Sequence, residues 1–268
     1  MRQKHENGKA NMNVPDAVRS NEQQGVRLNK FLADAGICSR RQADQMIADG
    51  RVRVNGAPAQ TGMRIMPEDE VLFDGKPVRP EEEEILIAFH KPRGIVCTSN
   101  PKEKDNIIGY INYPKRIYTV GRLDKDSEGL ILLTNQGDLV NRIMRAGNYH
   151  EKEYLVTVDR PYTEDFLEKM ASGVFLEELD VTTRPCKLTP VDEKRFRIIL
   201  TQGYNRQIRR MCEALGYEVK RLIRERIMNI ELTGLPLGQW RDVTAGEKQE
   251  LYRLIADSYS APVGSGKR

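Results

Sequence analysis

From residue 27 to residue 36 the apolar positions Leu28, Phe31, Leu32 and Ala35 fall at i, i+3, i+4 and i+7, the spacing of one helix face, and Gly36 suits the position just past its end. Ser39 opens a second helix. With Gln42 three residues on it makes a capping box, Ala43, Met46 and Ile47 supply the apolar face, and Gly50 ends the run. The period then changes to two: Val52 and Val54 alternate, Asn55-Gly56 and Asp74-Gly75 are hairpin turns, and apolar residues continue through Ile65 to Val71-Leu72-Phe73. Two short helices followed by small strands predict a compact α+β module over residues 26–79.

Pro80 and the glutamates 81–84 break this pattern and read as an interdomain linker, 80–84, a solvated spacer and not an acidic site. Beyond it, strand-like segments at 85–89, 117–120, 130–133, 153–158, 196–200 and 228–232 mix with helical ones at 135–145, 163–172, 205–215 and 244–256. Strict β-α alternation is missing. An α+β fold on a mixed, mostly antiparallel sheet over residues 85–257 is therefore expected instead of a doubly wound parallel sheet. Residues 1–25 read as a disordered tail and 258–268 as a flexible one.

Composition adds exclusions more than identity. The 268 residues carry a formal charge of only +4, too small to diagnose nucleic acid by itself. Mean hydropathy is −0.60, and no stretch approaches the roughly 18 apolar residues of a membrane helix, so no membrane partner is expected. The first 25 residues hold no apolar core of a secretory signal, which predicts cytoplasmic residence. Cys38, Cys97, Cys186 and Cys212 never form Cys-x-x-Cys, and His5, His90 and His150 are equally scattered. Neither a disulfide framework nor a metal site is predicted, and no phosphate-binding glycine loop of the P-loop type is found.

Chemistry concentrates in residues 118–134. A strand enters, a polar loop bounded by Gly121 and Gly129 carries Arg122, Asp124 and Lys125, and a buried strand leaves. Such a loop holds side chains at a sheet surface between two rigid supports, although the same three charges would also suit a plain surface cluster.

The order of residues decides more than the loop alone. Gly121-Arg-Leu-Asp124, with Gly129-Leu-Ile-Leu-Leu-Thr134 behind it, resembles the catalytic signature of pseudouridine synthases of the small-ribosomal-subunit type, the RsuA family. Lys152-Glu153-Tyr154 resembles the Lys-x-Tyr motif of that family, and Gly203-Tyr-Asn-Arg-Gln-Ile-Arg-Arg-Met211 its arginine-bearing helix entry. The first module, with Arg27-Leu-Asn-Lys-Phe-Leu32 and Cys38-Ser-Arg-Arg-Gln-Ala43, resembles the small RNA-binding domain of ribosomal protein S4 type. The resemblance spans about residues 26–256 in the right order, and within the family it is nearest the RluF type, which modifies large-subunit ribosomal RNA. Ser127 stands where the family commonly has threonine, which keeps the hydroxyl.

The resemblance implies that Asp124 is the essential carboxylate, acting on a target uridine by covalent attack or by another form of assistance. It assigns to Tyr154 stacking on the everted base, and to Arg209 a pairing with Asp124 that keeps it ionised and aimed. It places Arg206 and Gln207 on RNA, with Arg122, Leu123, Lys125, Ile208 and Arg210 as further contacts. In the first module Lys30, Arg40, Arg41, Arg51 and Arg53 are the RNA-binding candidates; Arg40 and Arg41 fall in a first helical turn, where the dipole disfavours cations unless an anion is bound. The implied partner is a ribosomal RNA stem-loop, with a transfer RNA as second candidate, met by a monomer without cofactor. The competing expectations are a non-catalytic ribosome-assembly factor and the same chemistry on small-subunit RNA. Residues 27–53 carry net +3 and 201–226 net +4, so the rest sums to −3 and two basic patches are predicted on a slightly acidic body.

Overall fold

The computed structural model of the chain describes residues 25–81 and 83–258. Apart from residues 25 and 258, the expected tails lie outside the described residues, as does Glu82 of the expected linker. The chain separates into two compact units with the boundary between residues 82 and 83.

The first unit runs β1 (Val26–Arg27), α1 (Leu28–Asp34), α2 (Arg40–Ala48), β2 (Val52–Val54), β3 (Ala57–Pro58), β4 (Arg64–Ile65), β5 (Val71–Phe73) and β6 (Lys76–Pro77). The capping box forms as predicted: the Gln42 N–H donates to Ser39 Oγ (3.2 Å) and the Ser39 N–H to Gln42 Oε1 (3.0 Å). Asn55 and Asp74, at φ +50° and +48°, each precede a glycine of positive φ, the backbone that a two-residue hairpin turn requires. Strands pair in the order β3-β2-β5-β6, with β1 on β4, and Leu28, Leu32, Ala43, Ile47, Val52, Val54 and Val71 make the core.

The second unit runs β7 (Leu86–Lys91), α3 (Ile107–Ile111), β8 (Tyr118–Val120), β9 (Glu128–Thr134), α4 (Gly137–Met144), β10 (Lys152–Val158), α5 (Glu164–Ser172), β11 (Phe175–Leu176), β12 (Val181–Thr182), β13 (Lys187–Pro190), β14 (Arg195–Leu200), α6 (Gln207–Ala214), β15 (Val219–Ile227), β16 (Ile230–Glu231), β17 (Trp240–Asp242) and α7 (Ala245–Leu254). Its main sheet has the order β13-β14-β10-β15-β9-β7-β17, with β8 added on β9 and β16 on β15. Every pair in that sheet is antiparallel except β15 with β9, which is the mixed, mostly antiparallel sheet that the missing β-α alternation predicts. Leu130 to Leu133 of β9 are wholly buried, facing two apolar clusters on opposite sides of the sheet. No helix among the described residues is long and apolar enough to cross a membrane.

The strand at the centre of this sheet, β15, has no counterpart among the expected elements; the strand expected at 228–232 shrinks to Ile230–Glu231. Five of its nine residues are charged, and the buried ones, Val219, Leu222, Arg224 and Ile227, do not keep a period of two. Register shifts against β10, between Glu153 and Tyr154 and between Thr157 and Val158, account for the broken alternation. The short α3, β11, β12, β13 and β17 are likewise additions to the expected set, and the expected helices begin one or two residues later than their polar caps suggest.

Candidate active site

β8 ends at Val120 and β9 begins at Glu128, so residues 121–127 form a loop whose two ends belong to neighbouring strands of one sheet. The loop is clamped from beneath. The buried Lys91 ammonium donates to the carbonyls of Ser127 (2.8 Å) and Pro92 (2.9 Å), and the Gly94 N–H donates to the Lys125 carbonyl (2.7 Å). Asp124 is left half-buried, its side chain 30 % exposed, at the wall of a cavity of about 310 Å³. Lys152, Tyr154, Gln202, Arg206 and Arg224 line the same cavity, so strands β10 and β15 and the turn into α6 all contribute to it.

The expected pairing of Arg209 with Asp124 is corrected by the geometry. Arg209 lies within the first turn of α6 and passes under the loop: its Nη2 stands 3.3 Å from the Asp126 carboxylate and donates to the Asp126 carbonyl (3.2 Å) and Ser127 Oγ (3.3 Å), while Nη1 donates to the Val219 carbonyl (3.0 Å). The arginine near Asp124 is Arg206, with Nη1 4.0 Å from its carboxylate and 3.2 Å from that of Asp126. Arg206 caps α6 in a left-handed conformation, φ +52°, which places it at the helix entry beside the loop. Burial by itself would push the Asp126 carboxyl up, but Arg209 and Arg206 outweigh it and hold it below the usual carboxylate range. Arg209 thus positions the loop, and Arg206 supplies the positive field at Asp124.

Lys152, the lysine of the Lys-x-Tyr motif, is 3 % exposed and donates to the His150 carbonyl (3.0 Å). Burial, reinforced by Arg224, pushes its ammonium down to about 8. Between about pH 8 and the ordinary lysine value of 10.5, the folded chain has released a proton that the unfolded chain still holds. Stability from this group therefore rises with pH across that window, and the penalty for the buried charge is fully present below it. Lys152→Met abolishes the titration, so the Tm of the variant minus that of the wild type is expected to fall as pH goes from about 7 to about 10. A pH-independent difference would contradict this account.

Other expected contacts divide. Arg122 and Lys125 are exposed on the loop, Lys125 at 3.2 Å from Asp105. Leu123, Gln207 and Ile208 are buried and form wall of the Asp124 cavity, with the Gln207 carboxamide accepting the Tyr204 N–H at 3.0 Å. Arg210 turns away to pair with Glu178 and donates to the Asn205 carbonyl. Residues 201–226 are no free basic patch: Lys220, Arg221 and Arg226 pair with Glu218, Glu128 and Glu151 with Glu153, and Arg224 is 1 % exposed. Burial pushes the Cys186 thiol up to about 11 and that of Cys212 up to about 12, which leaves neither as a nucleophile.

In the first unit Arg40 and Arg41 are exposed at the start of α2. The remaining candidates are tied within the unit: Lys30 to Asp34 (2.7 Å), Arg53 to the Gly56 carbonyl (2.9 Å), and Arg51 to Asp74 (2.5 Å) while its guanidinium lies 4.7 Å over the Phe73 ring.

Comparison with known proteins agrees with this geometry. The family model described as RNA pseudouridylate synthase matches residues 85–214, and that of the S4 domain matches 26–71. The dual-specificity RNA pseudouridine synthase RluF of Escherichia coli (strain K12) is 54 % identical over 237 residues, 88 % of this chain and 81 % of that protein. The ribosomal large subunit pseudouridine synthase B of Bacillus subtilis (strain 168) is 35 % identical over 238 residues, 86 % of this chain and 97 % of that protein. A solved structure described as a pseudouridylate synthase superposes with a TM-score of 0.62 at 32 % identity, covering 86 % of this chain and all of its own. With the loop aspartate, the strand tyrosine and the arginine-bearing helix entry gathered at one cavity, and an S4 domain preceding them in the sequence, the chain belongs to the RNA pseudouridylate synthase family.

Proposed function

We propose that this chain converts a uridine of large-subunit ribosomal RNA to pseudouridine and takes a transfer RNA as a second substrate class. The observation that carries the reading is the single cavity that brings Asp124, Tyr154 and Arg206 together from a loop, a strand and a helix entry. The names of the two relatives, one dual-specificity and one large-subunit, support the choice of substrate. The bond from N1 to C1′ breaks, the uracil turns, C5 joins C1′, the C5 hydrogen leaves as a proton and N1 gains one. Asp124 is the carboxylate that acts on the nucleotide, and Tyr154 offers the everted base a ring to stack on. Arg206 keeps positive charge beside Asp124 through the bond exchange.

The test is tritium release from RNA labelled at uracil C5, with large-subunit, small-subunit and transfer RNA compared. Release from the first and third is expected. Release from small-subunit RNA alone would overturn the target, and release from none would favour a non-catalytic binding role.

In this reading residues 26–79 anchor RNA through phosphates and 85–257 carry the chemistry, with 80–84 between them. Arg40→Glu combined with Arg41→Glu is expected to weaken RNA binding and to lower the magnitude of the slope of log affinity against log salt by about 1.4–1.8, the value for two lost phosphate contacts. An unchanged slope would remove these two residues from the anchor.

A further inference from the structure

Among the described residues, five buried side-chain atoms have no hydrogen-bond partner: His90 Nε2, Gln202 Nε2, Arg209 Nε, Arg224 Nη2 and Asn229 Oδ1. Two of them, on Gln202 and Arg224, belong to side chains that line the cavity of Asp124. Both residues are buried, at 5 % and 1 % exposure, and both free atoms are N–H donors. Both atoms are closed off from the cavity surface as the side chains stand, and rotation toward an acceptor on a ligand would relieve a buried donor that is otherwise disfavoured.

Their placement suits a base. Arg224 stands directly opposite Tyr154 in the antiparallel β10–β15 pair, and opposed residues project from the same face of a sheet. Its Nε donates to the Leu130 carbonyl at 2.7 Å, which anchors the guanidinium and leaves Nη2 over. Gln202 lies two residues past the end of β14, at the turn into α6. Uracil presents two carbonyl oxygens, O2 and O4, whereas cytosine replaces O4 with an amine that itself donates.

We propose that Gln202, supported by Arg224, reads the everted base, donating to uracil O4 and leaving the 4-amine of a cytosine facing a donor. This rests on the pseudouridine synthase reading above. A site that hydrogen-bonds a polar group of its substrate discriminates strongly against an analogue that cannot return the bond, because the site's own group is left unpaired.

The experiment compares full-length wild type, Gln202→Leu and Gln202→Glu, with thermal melts to confirm folding. The probes are a stem-loop transcript containing the uridine that the wild type modifies and the same transcript with cytidine at that position. The wild type is expected to bind the uridine RNA more tightly, and Gln202→Leu to lose about tenfold of that preference together with roughly 10–100-fold in kcat/KM for tritium release. Gln202→Glu, whose carboxylate accepts from the cytosine amine, is expected to reverse the preference. An equal uridine-to-cytidine affinity ratio in all three proteins overturns the proposal, since a purely structural glutamine would lower both affinities together. Absence of tritium release from the wild type overturns the reading of the activity itself, and the proposal with it.

Discussion

Asp124→Ala is expected to abolish tritium release, lowering kcat by roughly 10⁴-fold or more, which corresponds to about 5.5 kcal/mol of transition-state stabilisation. The loop that carries Asp124 is held by groups other than its own carboxylate: Lys91 and Arg209 bind its backbone, and Arg209 with Arg206 binds Asp126. Truncation of Asp124 should therefore leave the cavity formed and the melting temperature within about 2 °C of wild type, as for most substitutions away from the core. Phosphate contacts dominate RNA affinity, so the loss should fall on kcat and leave Kd for the RNA nearly unchanged. Substantial turnover by the variant would mean that another group carries the reaction. Asp126 is the obvious alternative, and it differs in kind: two arginines already engage its carboxylate, whereas Asp124 has Arg206 at the outer limit of an ion pair. Asp126→Asn is the informative companion, because it should loosen the loop without removing the reacting group.

The largest loss of stability is expected from Gly129→Ala. Gly129 pairs with Arg224 where β9 and β15 run parallel, the one parallel contact of the main sheet, and its φ is +116°. A Cβ there would lie 2.4 Å from both the backbone N and the carbonyl O of Arg224. Neither atom can yield, since β15 is held on its other side by the long antiparallel pairing with β10. Positive φ and backbone collision act together, and a cost of about 3–5 kcal/mol is expected, read as a fall in Tm of roughly 10 °C or as failure to accumulate soluble protein. Gly246→Ala is the matched control: it lies in α7 with nothing within 4 Å of where the added methyl group would sit, so a change of under about 1 kcal/mol is expected. Equal melting temperatures for the two variants would show that the close approach of the strands is not what demands glycine at 129.

Much of this protein is local and is therefore readable along the chain. The capping box of Ser39, the hairpin turns at Asn55 and Asp74, and the helical faces of the first unit depend on residues within four positions of one another. The loop bearing Asp124 and the strand bearing Tyr154 are legible for the same reason, each being a short pattern of glycine, charge and apolar runs. Local pattern fails at β15, where bulges break the alternation and a charged residue takes an inward position.

Sequence pattern alone carried the α+β class, the polar loop of Asp124 and the residue types available for chemistry. The tertiary structure decided which charge meets which. Arg221 finds Glu128 at a separation of 93 residues, Arg226 finds Glu153 at 73 and Arg206 finds Asp126 at 80, so a stretch that reads as a basic patch is consumed in internal pairs. Strand register and the entry angle of one helix set those partnerships, and no periodicity along the chain encodes either. The same register moved Arg209 from Asp124 to its neighbour Asp126 and brought Gln202, Lys152 and Arg224 to the cavity, because a buried polar side chain is defined by what surrounds it and not by the residues beside it in sequence.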